Sequence, residues 1–241
     1  MREQALKGRV ALVTGASSGQ GRAFSLALAK AGASVLLVAR REKELHEAVS
    51  EIAETGGDAA YHVADVRVVP ALYDLVDVAL ARFRKLDILV NNAGLGYRAP
   101  LEDLKRGQIA EMIETDLAAA IYLTQAALPA LARSAPSDIV NIASIAGLES
   151  FPEGTVYCAA KAGLVAFSRA LAQEVQPAGV RVTALCSGST DTAFFDLFRP
   201  TLEKPRMLRL EDSVRSLMYV LTSPPHVLHG EIIIRPRRGP V

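Results

Sequence analysis

The chain is poor in the residues that build metal centres and disulfide frameworks. Its 241 residues include two cysteines, Cys158 and Cys186, and four histidines. The cysteines form no Cys-x-x-Cys pair, and neither residue type shows the spacing of a metal site. We therefore expect no bound metal, and we expect both cysteines to be reduced thiols that act as small core residues.

No charge of either sign predominates, and no apolar run is long enough to cross a bilayer. Lys and Arg number 27 and Asp and Glu number 26, which leaves a net charge of +1. A nucleic-acid surface needs a basic stripe that is missing here, and a membrane span needs about 20 apolar residues. Residues 1–8 are charged and lack the apolar segment of a secretion signal. These absences predict a cytoplasmic protein with neither nucleic acid nor membrane as a partner.

Aromatic residues make up only 5% of the chain and tryptophan is absent, although half of the residues are hydrophobic. Strand-like apolar runs alternate with helix-like segments, which is typical of a parallel sheet with helices on both faces. The length suits one α/β domain over residues 1–241. We predict seven strands, at residues 9–14, 34–39, 59–63, 86–90, 138–143, 181–185 and 231–234. We predict that the clearest helices begin near residues 21, 41, 69, 101, 155 and 211.

The segment Tyr157-Cys-Ala-Ala-Lys161 carries the strongest chemical signal. Residues four apart lie on the same face of a helix. Moving a tyrosine pKa from ~10 to ~7 needs about 4 kcal/mol of preference for the phenolate. One positive charge at ~5 Å contributes about 3 kcal/mol at an effective dielectric of ~20. The pair therefore suits an acid–base tyrosine, although such pairs also occur on ordinary solvated helices.

A glycine-rich segment, Thr14-Gly-Ala-Ser-Ser-Gly-Gln-Gly21, lies between a predicted strand and a predicted helix. Glycines let the backbone approach a pyrophosphate, and the free N–H groups at the start of the helix attract its charge. The segment is therefore interpreted as a nucleotide-binding loop, with a tight structural turn as the alternative.

Further motifs follow other predicted strands: Asn91-Asn92-Ala93-Gly94 after one, and Ser144 after another. All would lie at the carboxyl edge of the sheet, where open parallel sheets bind ligands. Together with the glycine loop and the Tyr157/Lys161 pair, in this order, they resemble the short-chain dehydrogenase/reductase family over almost the whole chain.

That resemblance implies a single-domain, doubly wound Rossmann fold with a seven-stranded parallel sheet and a substrate lid around residues 189–210. It also implies hydride transfer between a nicotinamide dinucleotide and a secondary alcohol or the corresponding carbonyl. Tyr157 would be the general acid or base, Ser144 would hydrogen-bond the substrate oxygen, and Lys161 would lower the phenol pKa and hold the nicotinamide ribose.

The implied catalytic residues are Ser144, Tyr157, Lys161 and Asp116. The implied cofactor-binding residues are Gly15, Ser17, Ser18, Gly19, Gln20, Gly21, Arg40, Arg41, Asp65, Val66, Asn91, Ala93, Gly94, Tyr157, Lys161, Gly188, Thr190 and Thr192. Asp65 should contact the adenine and Asn91 should lie beneath the adenosine, although either could be a cap or turn residue.

The end of the second predicted strand favours NADP(H) over NAD(H). Family members that prefer NAD are expected to carry an acidic residue at the position of Ala39. Here Arg40 and Arg41 follow, and their guanidinium groups suit a ribose 2′-phosphate. The alternative is that both arginines only begin a solvated helix.

Two positions depart from the family pattern. Asp116 stands where an asparagine is usual, and its negative charge opposes phenolate formation while it stabilises the Lys161 ammonium. Ser187 stands where a proline usually precedes glycine, and its presence loosens that turn.

Substrate identity has only weak sequence signals. The segment Ala193-Phe194-Phe195-Asp196-Leu197-Phe198 is an aromatic cluster at the expected lid, and it could form an apolar pocket wall or pack on the core. Other candidate pocket residues are Leu95, Tyr97, Leu148, Glu149 and Phe151. The arginines of Arg235-Pro-Arg-Arg238 could meet an anionic substrate or a neighbouring subunit, or could be solvated.

Three functions therefore remain open: an NADP(H)-dependent oxidoreductase, an epimerase or dehydratase with the same Tyr-Lys pair, and a nucleotide sensor that has lost catalysis. The epimerase or dehydratase is disfavoured because those relatives are longer and carry a differently spaced glycine loop. The sensor is disfavoured because Ser144, Tyr157 and Lys161 are all present. Alanine and leucine are frequent at residues 118–131 and 164–172, which by resemblance favours a homotetramer or dimer, although buried helices have the same composition.

Overall fold

The computed structural model describes residues 4–198 and 207–237. The strands are β1 (Val10–Thr14), β2 (Ser34–Ala39), β3 (Ala59–Val63), β4 (Ile88–Asn91), β5 (Ser137–Ser144), β6 (Val180–Ser187) and β7 (Glu231–Ile234). The helices are α1 (Gly19–Lys30), α2 (Glu42–Glu54), α3 (Val69–Phe83), α4 (Arg106–Ile113), α5 (Ala119–Arg133), α6 (Thr155–Val175), α7 (Ala193–Phe198) and α8 (Leu210–Leu221). One turn of π-helix, Glu114–Ala118, joins α4 to α5.

The strands form one parallel sheet in the order β3-β2-β1-β4-β5-β6-β7. From β1 the chain adds β2 and β3 towards one edge of the sheet. From β4 it adds β5, β6 and β7 towards the other edge. This reversal leaves a crevice at the carboxyl ends of β1 and β4. The predicted seven-stranded Rossmann sheet is confirmed.

Apolar side chains cover both faces of the sheet because successive strand residues point to opposite sides. Val13 packs with Phe24, Leu45 and Leu217 from α1, α2 and α8. The neighbouring Leu12 packs on the other face, in a cluster with side chains of α3, α5 and α6. Burial on both faces explains why the central strands are continuous apolar runs.

An ionic cluster ties three strands together at the amino-terminal part of the sheet. Asp138 of β5 is 1% exposed. It accepts hydrogen bonds from Arg9 (2.7 Å), just before β1, and from Arg181 of β6 (2.8 Å). Both partners lie far from Asp138 in sequence, so the folded sheet assembles this cluster.

Within the described ranges, no helix combines the length and the apolar character needed to cross a bilayer.

Candidate active site

A cavity of about 430 Å³ lies at the carboxyl edge of the sheet. It contains most of the site residues expected from the sequence. Those lining it are Gly15, Ser17, Ser18, Gly19, Gln20, Gly21, Arg40, Arg41, Asp65, Val66, Ala93, Gly94, Asp116, Ser144, Tyr157, Lys161, Gly188, Thr190 and Thr192.

The glycine loop between β1 and α1 is held close to the segment after β4. Gly15 has a φ of +66°, and a Cβ there would lie 2.9 Å from the Ala93 Cα. A Cβ at Gly21 would collide with the Gly15 carbonyl and the Asn92 side chain. The Ser18 side chain does not cap α1. The N–H groups at the start of α1 are therefore open to an anion in the cavity.

Asn91 is the one expected cofactor residue that does not line this cavity. It is 4% exposed, and its side chain donates hydrogen bonds to Thr124 (3.0 Å) and Asn141 (2.8 Å). The adjacent Asn92 lines the cavity instead, and its side chain donates to the Thr14 carbonyl at 2.8 Å. Consecutive strand residues point to opposite faces, so Asn91 and Asn92 have different surroundings, and the expected place of Asn91 beneath the adenosine stays a prediction.

The two arginines after β2 occupy different places. Arg41 donates hydrogen bonds to the hydroxyls of Ser17 (2.9 Å) and Ser18 (2.6 Å) in the glycine loop. Arg40 has a side chain that is 64% exposed, with the Asp65 carboxylate 4.0 Å away. Both residues border the cavity, and Arg41 also precedes α2 as its N-cap residue.

A chain of hydrogen bonds connects the end of β3 to the loop after β4. Arg67 pairs with Asp65 (2.7 Å) and with Glu111 of α4 (2.7 Å). Glu111 also accepts a hydrogen bond from the Tyr97 hydroxyl at 2.6 Å. Hydrogen bonding to Arg67 lowers the pKa of Asp65. Hydrogen bonds from Tyr97 and, to a smaller extent, from Arg67 lower the pKa of Glu111. Sequence reasoning missed Arg67, which lines the cavity but lies outside every motif.

Tyr157 and Lys161 lie one turn apart on α6, and both are buried. The Lys161 ammonium is 5.8 Å from the centroid of the Tyr157 ring. It is 3.2 Å from an Asp116 carboxylate oxygen and donates to the Ile142 carbonyl at 3.1 Å. The other Asp116 oxygen is buried and has no hydrogen-bond partner among the described residues. Asp116 lies in the π-helical turn, and its carboxylate is in direct contact with Lys161.

Burial dominates the acid–base properties of these three groups. It raises the pKa of the Tyr157 phenol, the Lys161 charge opposes that rise, and the Asp116 carboxylate adds to it. Burial also raises the pKa of Asp116 to about 6, although Lys161 acts in the opposite direction. Desolvation lowers the pKa of Lys161, but Asp116 and Tyr157 outweigh it and hold that pKa above its usual value. The expected net lowering of the Tyr157 pKa is thus not achieved by these protein groups alone.

Ser144 ends β5 beside Ser187, its neighbour in β6. The Ser144 hydroxyl accepts a hydrogen bond from the Ala146 N–H at 3.1 Å, and a hydrogen bond with Ser144 favours the Tyr157 phenolate. Gly188 packs closely against Pro236. A Cβ at Gly188 would lie only 2.9 Å from the proline ring. The C-terminal segment therefore holds the end of β6 where Ser187, Gly188 and Thr190 border the cavity.

The residues proposed for a substrate pocket divide into two groups. Leu95, Phe194 and Phe195 line the cavity, whereas Tyr97, Leu148, Glu149 and Phe151 are not among its lining residues. Glu149 pairs with Arg235 at 2.5 Å, so this tail arginine has a partner within the chain. Arg238 and residues 199–206 of the expected lid lie outside the described residues.

Other lining residues were not predicted individually as site residues, although Asn92 and Ala193 belong to segments that the sequence had indicated. They are Ala39, Ala64, Arg67, Asn92, Thr115, Ile142, Ala143, Ser187 and Ala193. Most are strand ends or direct neighbours of motif residues, so adjacency to a motif was the available signal. Cys158 and Cys186 are both buried free thiols, and burial raises the pKa of Cys186 to about 11.

Comparison with known proteins agrees with this geometry. A family model described as short chain dehydrogenase matches residues 9–203. An uncharacterized oxidoreductase of Staphylococcus aureus (strain USA300) is 32% identical over 238 residues, covering 96% of this chain and 98% of the relative.

Solved structures resemble the chain over nearly its whole length. An alcohol dehydrogenase from the archaeon Thermococcus sibiricus, complexed with 5-hydroxy-NADP, has a TM-score of 0.90 and 30% identity, covering 97% of this chain and 99% of that one. A short chain dehydrogenase from Burkholderia cenocepacia J2315, in complex with NADP, has a TM-score of 0.87 and 29% identity, covering 96% and 98% respectively.

Proposed function

This chain belongs to the short-chain dehydrogenase family of oxidoreductases, and from that premise we propose that it transfers a hydride between NADP(H) and a secondary alcohol or the corresponding carbonyl compound. The observation that carries the proposal is the position of Ser144, Tyr157 and Lys161 in one cavity with the glycine loop. Hydroxyl, phenol and ammonium groups suit acid–base chemistry at a carbonyl oxygen.

The described residues fit a phosphorylated dinucleotide. The start of α1 has free N–H groups and no side-chain cap, as a pyrophosphate site requires. Arg40 and Arg41 border the same cavity, and Ala39 places no carboxylate there to repel a 2′-phosphate. Arg41 already bonds to two loop serines, so it would bridge the loop and the phosphate, while the exposed Arg40 would add a second charge. The neighbours from Thermococcus sibiricus and Burkholderia cenocepacia hold NADP-type ligands, which supports the same choice.

When bound, the nicotinamide ring supplies the hydride for reduction or accepts it in oxidation. Tyr157 would give a proton to the carbonyl oxygen in reduction and take one from the alcohol in oxidation. Ser144 would donate a hydrogen bond to the same oxygen and so stabilise its developing charge. Lys161 would favour the phenolate electrostatically and hold the ribose hydroxyls near α6.

One variant and a substrate screen of the wild type test this proposal. Tyr157→Phe keeps the ring but removes the exchangeable proton, so we expect turnover of ketones or alcohols to fall by at least about 100-fold while NADPH still binds. Absorbance of the reduced nicotinamide measures turnover, and fluorescence titration measures binding. A wild-type protein that binds NADPH without consuming it across a panel of ketones and alcohols would be a sensor, and the oxidoreductase proposal would be rejected.

The cofactor preference has its own test. Arg40→Asp places a carboxylate beside the expected 2′-phosphate, so the ratio of kcat/KM for NADPH over NADH should fall below that of the wild type. Arg133→Asp, at the exposed end of α5 and outside the cavity lining, is the control for the same change of surface charge. An unchanged ratio in Arg40→Asp would contradict the preference for NADP(H).

We extend the proposal to assembly, location and the lid. The outward positions of α6 include the exposed small residues Ala162, Ala166 and Ala170, which suit close helix pairing in a homo-oligomer, either a dimer or a tetramer. Cys158 and Cys186 are free thiols, which suits a reducing compartment such as the cytoplasm. As part of one domain, 1–241, the described residues 189–198 of the expected lid would border the substrate. Sedimentation of Ala166→Arg tests the assembly, since a large charge at that interface should dissociate it.

A further inference from the structure

The ring of Tyr157 is covered by aromatic side chains of α7. The ring centroid of Phe198 lies 4.9 Å from that of Tyr157, and the Phe194 centroid lies 5.9 Å away. Phe194 and Phe198 stack on each other at 5.1 Å with an interplanar angle of 27°. Phe195 meets Phe194 edge-on at 5.1 Å. The proposed acid–base residue is thus one ring of an aromatic stack.

The loop after β4 is shaped to admit this stack. A Cβ at Gly96 would lie 2.7 Å from the Phe198 ring and 2.9 Å from the Phe194 ring. The remaining neighbours of the cluster are also apolar or aromatic, among them Leu95, Tyr97, Leu104, Met112 and Phe151. Of the seven phenylalanines in the chain, three are in α7. Three of the seven phenylalanines therefore lie in or against the stack that covers Tyr157.

Among the described residues, the catalytic end of the cavity offers no unpaired cation to an anionic substrate. Lys161 is paired with Asp116 at 3.2 Å. The cavity arginines, Arg40, Arg41 and Arg67, follow β2 and β3, at the opposite side of the sheet from β5 and β6. Of the nearby surface arginines, Arg98 pairs with Glu153 and Arg235 pairs with Glu149. Burial of a carboxylate beside Tyr157 would therefore be opposed by desolvation and by Asp116.

We propose that the substrate is an uncharged aryl ketone, or the matching aryl carbinol, and that Phe194 and Phe195 recognise its ring. This inference rests on the proposed oxidoreductase function. Both phenylalanines line the cavity together with Ser144 and Tyr157, so a carbonyl held by those two hydroxyls places its aryl substituent against α7. Offset or edge-on contact with these rings selects a flat ring over a saturated ring of similar size.

The test compares acetophenone with cyclohexyl methyl ketone, using NADPH oxidation by the wild type and by the variants Phe194→Leu and Phe195→Leu. The readout is the ratio of kcat/KM for the aryl ketone over that for the saturated ketone. The intrinsic reactivity of each ketone cancels when this ratio is compared between proteins. We expect at least one variant to lower the ratio on the order of 3- to 10-fold. Phe83→Leu, at the end of α3 and outside the cavity lining, is the matched control and should leave the ratio unchanged.

The charge requirement is tested with 4-acetylbenzoate and its methyl ester. Each kcat/KM is divided by the rate at which borohydride reduces the same ketone, because the ester group by itself makes the carbonyl more reactive. We expect the neutral ester to have a kcat/KM at least about tenfold higher. Equal ratios in the wild type and both α7 variants, or preference for the carboxylate, would overturn the aryl-ketone inference and leave the oxidoreductase proposal intact. If NADPH binds but no ketone or alcohol of any class is turned over, the proposed function fails and the inference fails with it.

Discussion

At the scale of single residues, Asp116 distinguishes this site most clearly. Its carboxylate lies 3.2 Å from the Lys161 ammonium, and the two side chains are almost completely buried. The pair brings opposite charges next to Tyr157, so the benefit of Lys161 to the phenolate is partly cancelled. In a structure without this carboxylate, the same lysine would act on Tyr157 with its full charge.

Asp116→Asn should therefore retain activity and move the acidic limb of the pH–rate profile for alcohol oxidation downward. Removing the negative charge lowers the pKa of Tyr157, so the phenolate forms at a lower pH, by an amount on the order of one pH unit. The pKa of Asp116 is about 6. Wild type and variant should thus converge below that pH, where the carboxylate is protonated in the wild type.

The measurement is kcat for alcohol oxidation across pH 5–10, with Asp77→Asn on the exposed side of α3 as the matched control. Identical profiles for Asp116→Asn and the wild type would mean that the carboxylate does not act on Tyr157 electrostatically.

At the scale of elements, the cavity depends on contacts between segments that are distant in sequence. Arg67, after β3, bonds to Glu111 of α4, and Glu111 accepts from the Tyr97 hydroxyl. This connection joins the expected adenine end of the cavity to the loop that carries Leu95 and Gly96. The sequence predicted Asp65 and Gly94 as site residues at the two ends of this connection. No motif predicted the hydrogen bonds of Arg67 and Tyr97 to Glu111.

Glu111→Gln should loosen that loop because a neutral amide forms weaker hydrogen bonds with Arg67 and Tyr97. We expect amide hydrogen exchange in residues 95–104 to become about two- to fivefold faster, with little change in the core strands. The exposed neighbour Glu114, changed to Gln, serves as the control. Unchanged exchange in that loop would show that the bridge does not order it.

At the scale of the whole molecule, the sheet is tied together by buried charge as well as by apolar packing. Asp138 accepts hydrogen bonds from Arg9 and Arg181, which lie next to β1 and in β6. These side chains are 2%, 18% and 13% exposed, respectively. Removing the acceptor charge would leave two largely buried guanidinium groups without their partner.

Asp138→Asn should accordingly lower the free energy of unfolding by about 2–4 kcal/mol. Urea unfolding at pH 7, followed by circular dichroism, measures this change. The exposed Asp74→Asn variant is the control and should differ from the wild type by less than about 0.5 kcal/mol. A loss in Asp138→Asn no larger than that of the control would show that the cluster contributes little to stability.

Comparison of prediction with structure separates local from long-range features. All seven predicted strands were confirmed, with differences of one or two residues at several ends, such as β4, which begins at Ile88 instead of residue 86. The sequence motif did not distinguish Asn91, which is buried away from the cavity, from Asn92, which lines it, because the sequence alone does not assign alternate strand residues to a face. The aromatic segment at residues 193–198 left two interpretations open, and the structure supports both, since Phe198 is buried in a cluster while Phe194 and Phe195 also line the cavity.

The amino-acid sequence by itself determined the strand–helix alternation, the open glycine turn before α1 and the one-turn spacing of Tyr157 and Lys161. These features depend on backbone geometry over a few residues, so the order of residue types specifies them. Only the tertiary structure decided that Asp116 contacts Lys161, that α7 covers Tyr157 and that Arg67 bridges to α4. Each of these contacts joins groups from separate elements, and their energies depend on burial and on distances that exist only after the sheet and its helices have packed.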